Sequence, residues 1–152
     1  MKKSILKIQF DVTSEEVKKS LEDYRGKKVV LYFYPKDATP GCTTQGLEFT
    51  QLSKKFKALN AVILGVSRDS IPSHKKFIDK QSFSFDLISD NEEKLCQAFD
   101  VIKDKNMYGK KVRGIERSTF IFDEEGQLLH EWRKVKAEGH AEIVLQWLKE
   151  NS

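Results

Sequence analysis

The stretch KKVVLYFYPKDATPGC, Lys27 to Cys42, contains the strand and the turn on which the fold prediction rests. Its first half, Lys27 to Tyr34, is a continuous β-branched and aromatic run, which is typical of a central strand covered on both faces. Pro35 then turns the chain, and apolar residues recur at helical spacing after Thr39. We therefore expect a buried strand that leads directly into a helix.

The pattern farther along the chain extends this unit into an α/β sheet. A helix is predicted from about Pro40 to Ala58, and AVILGVS, Ala61 to Ser67, predicts a second buried strand parallel to the first. The later predicted elements are a helix capped by Asp69 and Ser70 that runs through Lys80, a short strand near FDLIS, a short helix from Asn91 to Phe99, a loop or hairpin from Asp104 to Glu116, a hairpin of Ser118 to Asp123 and Leu128 to Val135, and a helix from about His140 to Lys149. This order predicts a thioredoxin-like α/β fold, a central mixed sheet with helices on both faces, in a single domain that covers residues 1–152.

Composition and charge limit the classes of function. With 39% hydrophobic and 33% charged residues, the chain has the composition of a soluble globular protein, and it contains no apolar run of membrane length. The net charge of +4 comes from lysines dispersed as small pairs, which predicts a solvated surface and no nucleic-acid partner. The N-terminus lacks an uninterrupted apolar signal segment, so we expect a cytoplasmic protein. We also expect no membrane partner, and a monomer or weak dimer.

Two cysteines and three histidines are the candidates for redox chemistry or metal binding. Cys42 and Cys96 belong to neither a CxxC pair nor a zinc-ligand spacing, so both are expected as reduced thiols. His74, His130 and His140 are scattered along the chain, with no cysteine or carboxylate at ligand spacing, and we expect surface or structural roles for them. The sequence predicts no metal and no cofactor.

Cys42 lies where the predicted strand passes into the predicted helix. If Thr39 is the N-cap and Pro40 the first helical residue, Cys42 falls in the first turn, among N–H groups without a helical acceptor. These groups and the helix dipole favour a thiolate over a thiol. Gly41 allows a small ligand to approach the backbone, and the Thr39 hydroxyl can point at the same place as the sulfur. A nucleophilic cysteine is therefore predicted.

Pro35, Thr39 and Cys42 match the P-x-x-x-T-x-x-C motif, and the chain resembles the peroxiredoxins that carry it. The longer string FYPKDATPGCTT is similar to that of the bacterioferritin comigratory protein, or peroxiredoxin Q, branch. The segments LGVSRDS, FDLISD, IERSTFIFD and QWLKE resemble the same branch in order and spacing, so the resemblance covers most of the chain.

This resemblance implies a thiol peroxidase that reduces hydrogen peroxide and organic hydroperoxides. Cys42 would be the peroxidatic cysteine, which becomes a sulfenic acid, and Thr39 would hydrogen-bond the sulfur and the peroxide. Pro35 would shield the site from water, and Arg117 would hold the thiolate and polarise the O–O bond. Two further residues, Gly41 and Gln45, would lie at the substrate site.

The sequence departs from the family pattern in ways that affect regeneration. Leu47 occupies the position at which many members of the branch carry a resolving cysteine, and Gln45 stands where a glutamate is common. Our leading hypothesis is a one-cysteine enzyme whose sulfenic acid is reduced by thioredoxin, glutaredoxin or glutathione. Two alternatives remain open: resolution by Cys96, and a redox sensor that passes oxidation of Cys42 to a partner protein.

The N-terminal segment also departs from the family. It lacks the G-x-x-A-P-x-F sequence with which peroxiredoxins usually open as a short hairpin. We therefore expect the residues before about Asp23 to pair differently or to begin with a shorter element.

Overall fold

The computed structural model describes residues 3–151, which form nine strands, six α-helices and one short 3-10 helix. The strands are β1 (Phe10–Val12), β2 (Glu15–Lys19), β3 (Lys28–Phe33), β4 (Ala61–Ser67), β5 (Asp86–Ser89), β6 (Ile102–Met107), β7 (Lys110–Ile115), β8 (Ser118–Phe122) and β9 (Leu128–Trp132). The helices are α1 (Lys3–Leu6), α2 (Pro40–Gln51), α3 (Ser53–Ala58), α4 (Ile71–Gln81), α5 (Lys94–Ala98) and α6 (His140–Glu150), with the 3-10 helix at Leu21–Tyr24.

The main sheet has the strand order β2-β1-β5-β4-β3-β8-β9. The three central strands β3, β4 and β5 are parallel, and β8 pairs antiparallel with β3. On the other side, β1 pairs antiparallel with β5. The sheet is therefore mixed, and the prediction of a thioredoxin-like fold with a mixed central sheet is confirmed.

Alternate residues of β3 enter two different cores. Val29, Leu31 and Phe33 belong to the core on one face of the sheet, whereas Val30 and Tyr32 belong to the core on the other. Because neither face reaches solvent, the strand has no polar alternation, which explains the continuous apolar run in the sequence.

Helices cover both faces of the sheet. On one face, α2, α4 and α6 contribute buried residues such as Phe49, Phe77 and Leu145. On the opposite face, α1 and α5 contribute Leu6 and Leu95. The carboxyl end of β3 leads into the segment that carries Pro35, Thr39 and Cys42, a usual place for sites in open α/β sheets. No helix within residues 3–151 combines the length and the apolar character needed to cross a bilayer.

The helix predicted from Pro40 to Ala58 is interrupted at Leu52, so it forms two helices, α2 and α3. Leu52 has φ −96° and ψ 2°, close enough to helical dihedrals that the apolar spacing continues across the break. Periodicity alone therefore does not reveal the interruption. The cap of α4 is Ser70, whose hydroxyl accepts a hydrogen bond from the Ser73 N–H.

The polar segment from Asp104 to Glu116 is a hairpin rather than a loop. β6 and β7 form a separate two-stranded sheet, joined by Tyr108 and Gly109, which both have positive φ. Two consecutive positive φ values are the signature of the tight hairpin turn that matches strand twist. The N-terminal segment also contains a hairpin, β1–β2, despite its atypical sequence.

Gly46 in the middle of α2 is required by the ring of Phe83. A Cβ at this position would lie 2.2 Å from the ring tip of Phe83, and Phe83 itself packs edge-on against Phe77. We expect Gly46→Ala to destabilise the protein by about 1–3 kcal/mol through overpacking, although alanine in a helix normally stabilises by about 1 kcal/mol. Urea unfolding measures the difference.

The matched control for Gly46→Ala is the double variant Gly46→Ala/Phe83→Leu. Phe83→Leu removes the ring tip that the new methyl group would meet. The added cost of Gly46→Ala should therefore largely disappear in the Phe83→Leu background, and a cost that stays the same in both backgrounds would contradict this explanation.

Candidate active site

Cys42 lies in the first turn of α2, with Thr39 as N-cap and Pro40 as the first helical residue. The first helical hydrogen bond runs from the Thr43 N–H to the Thr39 carbonyl, so the helix provides no acceptor for the N–H groups of Gly41 and Cys42. The Cys42 residue is only 2% exposed. The sulfur is thus held in a shielded place that favours negative charge.

Arg117 brings a positive charge to the sulfur from a distant part of the chain. It precedes β8, which pairs with β3, and this pairing places Arg117 near the carboxyl end of β3. One guanidinium nitrogen, Nη2, donates to Cys42 Sγ at 3.4 Å. The other, Nη1, donates to Gln45 Oε1 at 2.6 Å. The guanidinium therefore links the thiol to the next turn of α2.

Gln45 is fully buried, and only one of the two polar atoms of its side-chain amide has a hydrogen-bond partner. Its oxygen accepts from Arg117, whereas its Nε2 has no hydrogen-bond partner within residues 3–151. A glutamate here would neutralise Arg117, but the amide leaves the guanidinium charge uncompensated and adds a buried donor. Buried donors without a partner are uncommon in folded proteins.

The remaining predicted site residues surround this centre. Thr39 and Pro35 are half-buried in the loop between β3 and α2, and the Thr39 hydroxyl donates to the Lys36 carbonyl at 2.8 Å. A Cβ at Gly41 would lie 3.2 Å from Arg117 Nη2, so glycine at this position permits the close approach of the guanidinium. Thr39, Gly41, Cys42, Gln45 and Arg117 thus meet where β3 ends and α2 begins.

Comparisons with known proteins assign the chain to a family. The AhpC/TSA family matches residues 6–131. The chain belongs to the AhpC/TSA family. It is 59% identical over 130 residues to peroxiredoxin Bcp of Xanthomonas campestris, covering 86% of this chain and 81% of that protein. It is 54% identical over 132 residues to peroxiredoxin Bcp of Bacillus subtilis, covering 87% and 84% respectively.

Solved structures give the same branch of the family. One is a structure of the X. campestris bacterioferritin comigratory protein, described as a trapped intermediate and ligand complex in a study of its alkyl peroxide reduction. It superposes with a TM-score of 0.91 at 51% identity, covering 97% of this chain and 94% of that chain. A cysteine-to-serine mutant of Xylella fastidiosa PrxQ superposes with a TM-score of 0.93 at 49% identity, covering 99% and 93%. The resemblance to the bacterioferritin comigratory protein branch is confirmed, and the protein is a peroxiredoxin, a thiol peroxidase that reduces peroxides through cysteine.

Cys96 lies on the other side of the sheet from the peroxiredoxin motif. Cys42 belongs to the core that contains α2 and α6, whereas Cys96 belongs to the core on the opposite face. Cys96 is fully buried, and burial, followed by its hydrogen bond with Asp90, raises the pKa of its thiol well above the ordinary value. Leu47, where many relatives carry a resolving cysteine, packs against the core on the Cys42 side.

No carboxylate stands at ligand spacing from a histidine in the sequence, but the fold brings one to His74. This residue lies on α4, fully buried, and its Nδ1 is 2.7 Å from Asp37 Oδ2. Within residues 3–151, ligand atoms of Asp37, Asp69 and His74 form one group close enough to hold a metal ion. Both side-chain oxygens of Asp37, the Oδ2 of Asp69 and both imidazole nitrogens already have protein hydrogen-bond partners, however.

Sequence reasoning missed this cluster because its members are far apart in the chain. His74 follows Asp37 by 37 positions. The turns after β3 and β4 meet only because the two strands are parallel neighbours. In the sequence, the only indication is that Asp37 lies between the strand β3 and Cys42, and that His74 follows β4, the next strand along the chain.

Tyr32 is a further residue that the motif did not identify. Its ring stacks on Phe49 of α2 at 4.7 Å between ring centroids. Burial, followed by the charge of Cys42, raises the pKa of Tyr32 well above the ordinary value, so its hydroxyl stays protonated.

His140, at the start of α6, should make stability depend on pH. Burial, followed by the charge of Arg117, lowers its pKa from 6.5 to about 4, and its Nε2 hydrogen-bonds Thr119 Oγ1 at 2.9 Å. The unfolded chain therefore takes up the proton at a higher pH than the folded protein does. Stability should be complete above about pH 6.5 and fall toward pH 4, by up to about 1.4 kcal/mol per pH unit.

Urea unfolding at about pH 7.5 and about pH 5 tests this dependence in the wild type and in His140→Gln. The variant removes the titrating group and should lose less stability between the two conditions than the wild type does. His130→Gln is the matched control, because His130 lies half-buried on β9 and should leave the dependence unchanged. An equal pH dependence in the wild type and in His140→Gln would contradict the assignment.

Proposed function

We propose that Cys42 is the peroxidatic cysteine and that an external thiol reduces its sulfenic acid. The observation that carries the proposal is the contact of 3.4 Å between Arg117 Nη2 and Cys42 Sγ in the first turn of α2. A guanidinium and a helix N-terminus directed at one sulfur favour the thiolate, which is the form that attacks peroxides.

The thiolate attacks the terminal oxygen of the hydroperoxide, which carries the hydrogen. An S–O bond forms as the O–O bond breaks, so the sulfur is oxidised to a sulfenic acid and the second oxygen leaves as an alkoxide, or as hydroxide from hydrogen peroxide. The leaving oxygen then takes a proton. Arg117 lies where it can stabilise the charge that develops on that oxygen, and no metal is required.

Thr39 and Gln45 supply the polar contacts for the substrate. Because the Thr39 hydroxyl already donates to the Lys36 carbonyl, its oxygen remains free to accept the hydrogen of the hydroperoxide. The unpartnered Nε2 of Gln45 is a buried donor beside Arg117, which suits a peroxide oxygen. Gly41 keeps the approach open, and Pro35 limits the access of water.

Regeneration consumes two thiols. The first condenses with the sulfenic acid to give a mixed disulfide and water, and the second releases the Cys42 thiol and a disulfide. We propose thioredoxin, glutaredoxin or glutathione as the source, in line with the thioredoxin-type reductants of the family. Support comes from Cys96, which the sheet separates from Cys42 and which burial keeps as a neutral thiol. Because Cys42 is shielded, the first turn of α2 must open for the reductant to reach it.

Organic hydroperoxides are proposed as substrates together with hydrogen peroxide. The X. campestris protein, at 51% identity, is described in terms of alkyl peroxide reduction. Cys42 also belongs to the same apolar core as Tyr32 and Phe49, surroundings that suit an alkyl group.

Replacing Arg117 tests the central observation. Arg117→Lys keeps the charge but cannot bond Gln45 and Cys42 together through one planar group. We expect the second-order rate constant with hydrogen peroxide to fall by about 10²–10³-fold, the usual cost of one lost charge-stabilising donor. Stopped-flow fluorescence follows the reaction, with Cys42→Ser as the inactive reference and Arg133→Lys as the matched surface control. A wild-type rate in Arg117→Lys would overturn the proposed role.

Cys96→Ser tests the one-cysteine mechanism. After one equivalent of hydrogen peroxide without added thiol, the intact mass of both the wild type and Cys96→Ser should increase by one oxygen. Turnover with dithiothreitol and with thioredoxin should be the same in both proteins. Loss of two hydrogens in the wild type, replaced by a gain of oxygen in the variant, would instead make Cys96 the resolving cysteine.

A further inference from the structure

A buried polar network holds the loop of residues 35–39, and the reaction described above does not use it. The Asp37 carboxylate accepts hydrogen bonds from the Tyr34 hydroxyl at 2.6 Å and from the Ser73 hydroxyl at 2.8 Å. His74 Nδ1 lies 2.7 Å from the same carboxylate, and His74 Nε2 lies 2.9 Å from the Ile88 carbonyl. The side chains of His74 and Asp37 are 0% and 4% exposed, so the network is enclosed.

The hydrogen-bond partners join Asp37 and His74 directly inside this network. A carbonyl oxygen only accepts, so His74 Nε2 carries a hydrogen. The Asp37 carboxylate already accepts two hydroxyl hydrogens, and burial raises the pKa of Tyr34, which keeps that hydroxyl protonated as a donor. The remaining contact joins His74 Nδ1 to Asp37 Oδ2 at 2.7 Å, so one hydrogen lies between these two atoms. The Tyr34 hydroxyl also lies 3.4 Å from the same nitrogen.

A second anchor fixes the backbone of the same residue. The Asp37 N–H donates to Asp69 Oδ2 at 2.9 Å, and that oxygen also accepts from the Ser67 hydroxyl at 2.6 Å. Asp69 follows β4, so the bond ties the loop after β3 to the turn after the neighbouring strand. Ala38, the next residue, has φ 62°, an unfavourable conformation for a residue with a Cβ that persists only where the surroundings hold it.

These anchors act on Thr39 through one peptide group. The Asp37 N–H and the Lys36 carbonyl belong to the same planar unit, so fixing one direction fixes the other. Asp69 holds the N–H end, and the carbonyl end accepts the hydrogen of the Thr39 hydroxyl at 2.8 Å. The hydroxyl hydrogen is thus engaged by the Lys36 carbonyl, and the oxygen lone pairs are left for a ligand.

We propose that Asp69 and the Asp37–His74 pair are positioning residues that hold the Lys36–Asp37 peptide so that Thr39 accepts a hydrogen bond from the hydroperoxide. The inference rests on the proposed function, because it requires that Thr39 contacts the substrate. It assigns the network a role in the peroxide step alone. An alkylating agent such as iodoacetamide has no O–H group for Thr39 to accept, so it reports the thiolate without this contact.

The test compares two second-order rate constants for each reduced variant, one for hydrogen peroxide and one for iodoacetamide at the same pH. Asp69→Ala and Asp37→Asn should slow the peroxide reaction by about 10- to 100-fold, the cost of a misplaced contact, and change alkylation by less than about twofold. Asp69→Asn should restore most of the peroxide rate, because a single oxygen at position 69 accepts both bonds. Equal losses in both reactions, or failure of Asp69→Asn to restore the rate, would overturn the proposal.

Thr39→Val separates this inference from the proposed function. Thr39→Val should lower the peroxide rate constant and leave alkylation unchanged. In the Thr39→Val background, Asp69→Ala should then lower the peroxide rate constant little further, because the effects of residues that act through one group are not additive. An undiminished effect of Asp69→Ala in that background overturns the positioning role while the function of Thr39 stands. A wild-type peroxide rate in Thr39→Val overturns the role of Thr39 itself, and the inference with it.

Two further variants control for stability. Ile78 lies on α4 one turn after His74 and packs against the core. Ile78→Ala therefore destabilises the same helix without contacting Asp37. It should lower the melting temperature and leave both rate constants unchanged, and a selective loss of the peroxide rate would contradict the proposal. If Asp69→Ala does not fold, Ser73→Ala serves in its place, because it removes a single hydrogen-bond donor to Asp37. It should lower the peroxide rate constant selectively, by a smaller factor.

Discussion

The burial of β3 on both faces constrains where every functional group of this peroxiredoxin can lie. Because residues 28–33 are covered on each side, the polar chemistry begins only where the strand ends, at Tyr34 and Pro35. The parallel neighbour β4 contributes Asp69 at the same edge, and the antiparallel neighbour β8 contributes Arg117. The site is therefore assembled from three segments that only the strand pairing brings together.

Side chains of opposite charge type, Arg117 and Asp37, lie at that edge of the sheet. Arg117 is directed at the sulfur, and Gln45, which holds it, does not cancel its charge. On the other side of the loop, the Asp37 side chain is enclosed by its contacts with Tyr34, Ser73 and His74. The separation matters because an uncompensated carboxylate close to Cys42 would oppose formation of the thiolate. Negative charge at the loop is thus confined to a closed network, and positive charge faces the reacting atoms.

Much of the fold follows from local sequence signals. β3, β4 and the β8–β9 hairpin are evident because buried strands and turn residues leave strong patterns, and the start of α2 follows from Thr39 and Pro40. The break at Leu52 is hidden because apolar spacing continues through it. The position of Arg117 came from family resemblance, since nothing local distinguishes it from a surface arginine. The Asp37–His74 contact needs the strand order, which no short motif contains.

The central sheet also acts as a partition between the two sulfur atoms of the chain. Cys42 lies in the core on one face and Cys96 in the core on the other, each almost fully enclosed. The thiol of Cys96 is moreover held neutral by burial and by Asp90, so it stays unreactive until the core on its side of the sheet opens. Under the proposed function, reactivity of Cys96 becomes an internal gauge of the opening of its own core, recorded in the same molecule whose Cys42 records exposure to peroxide.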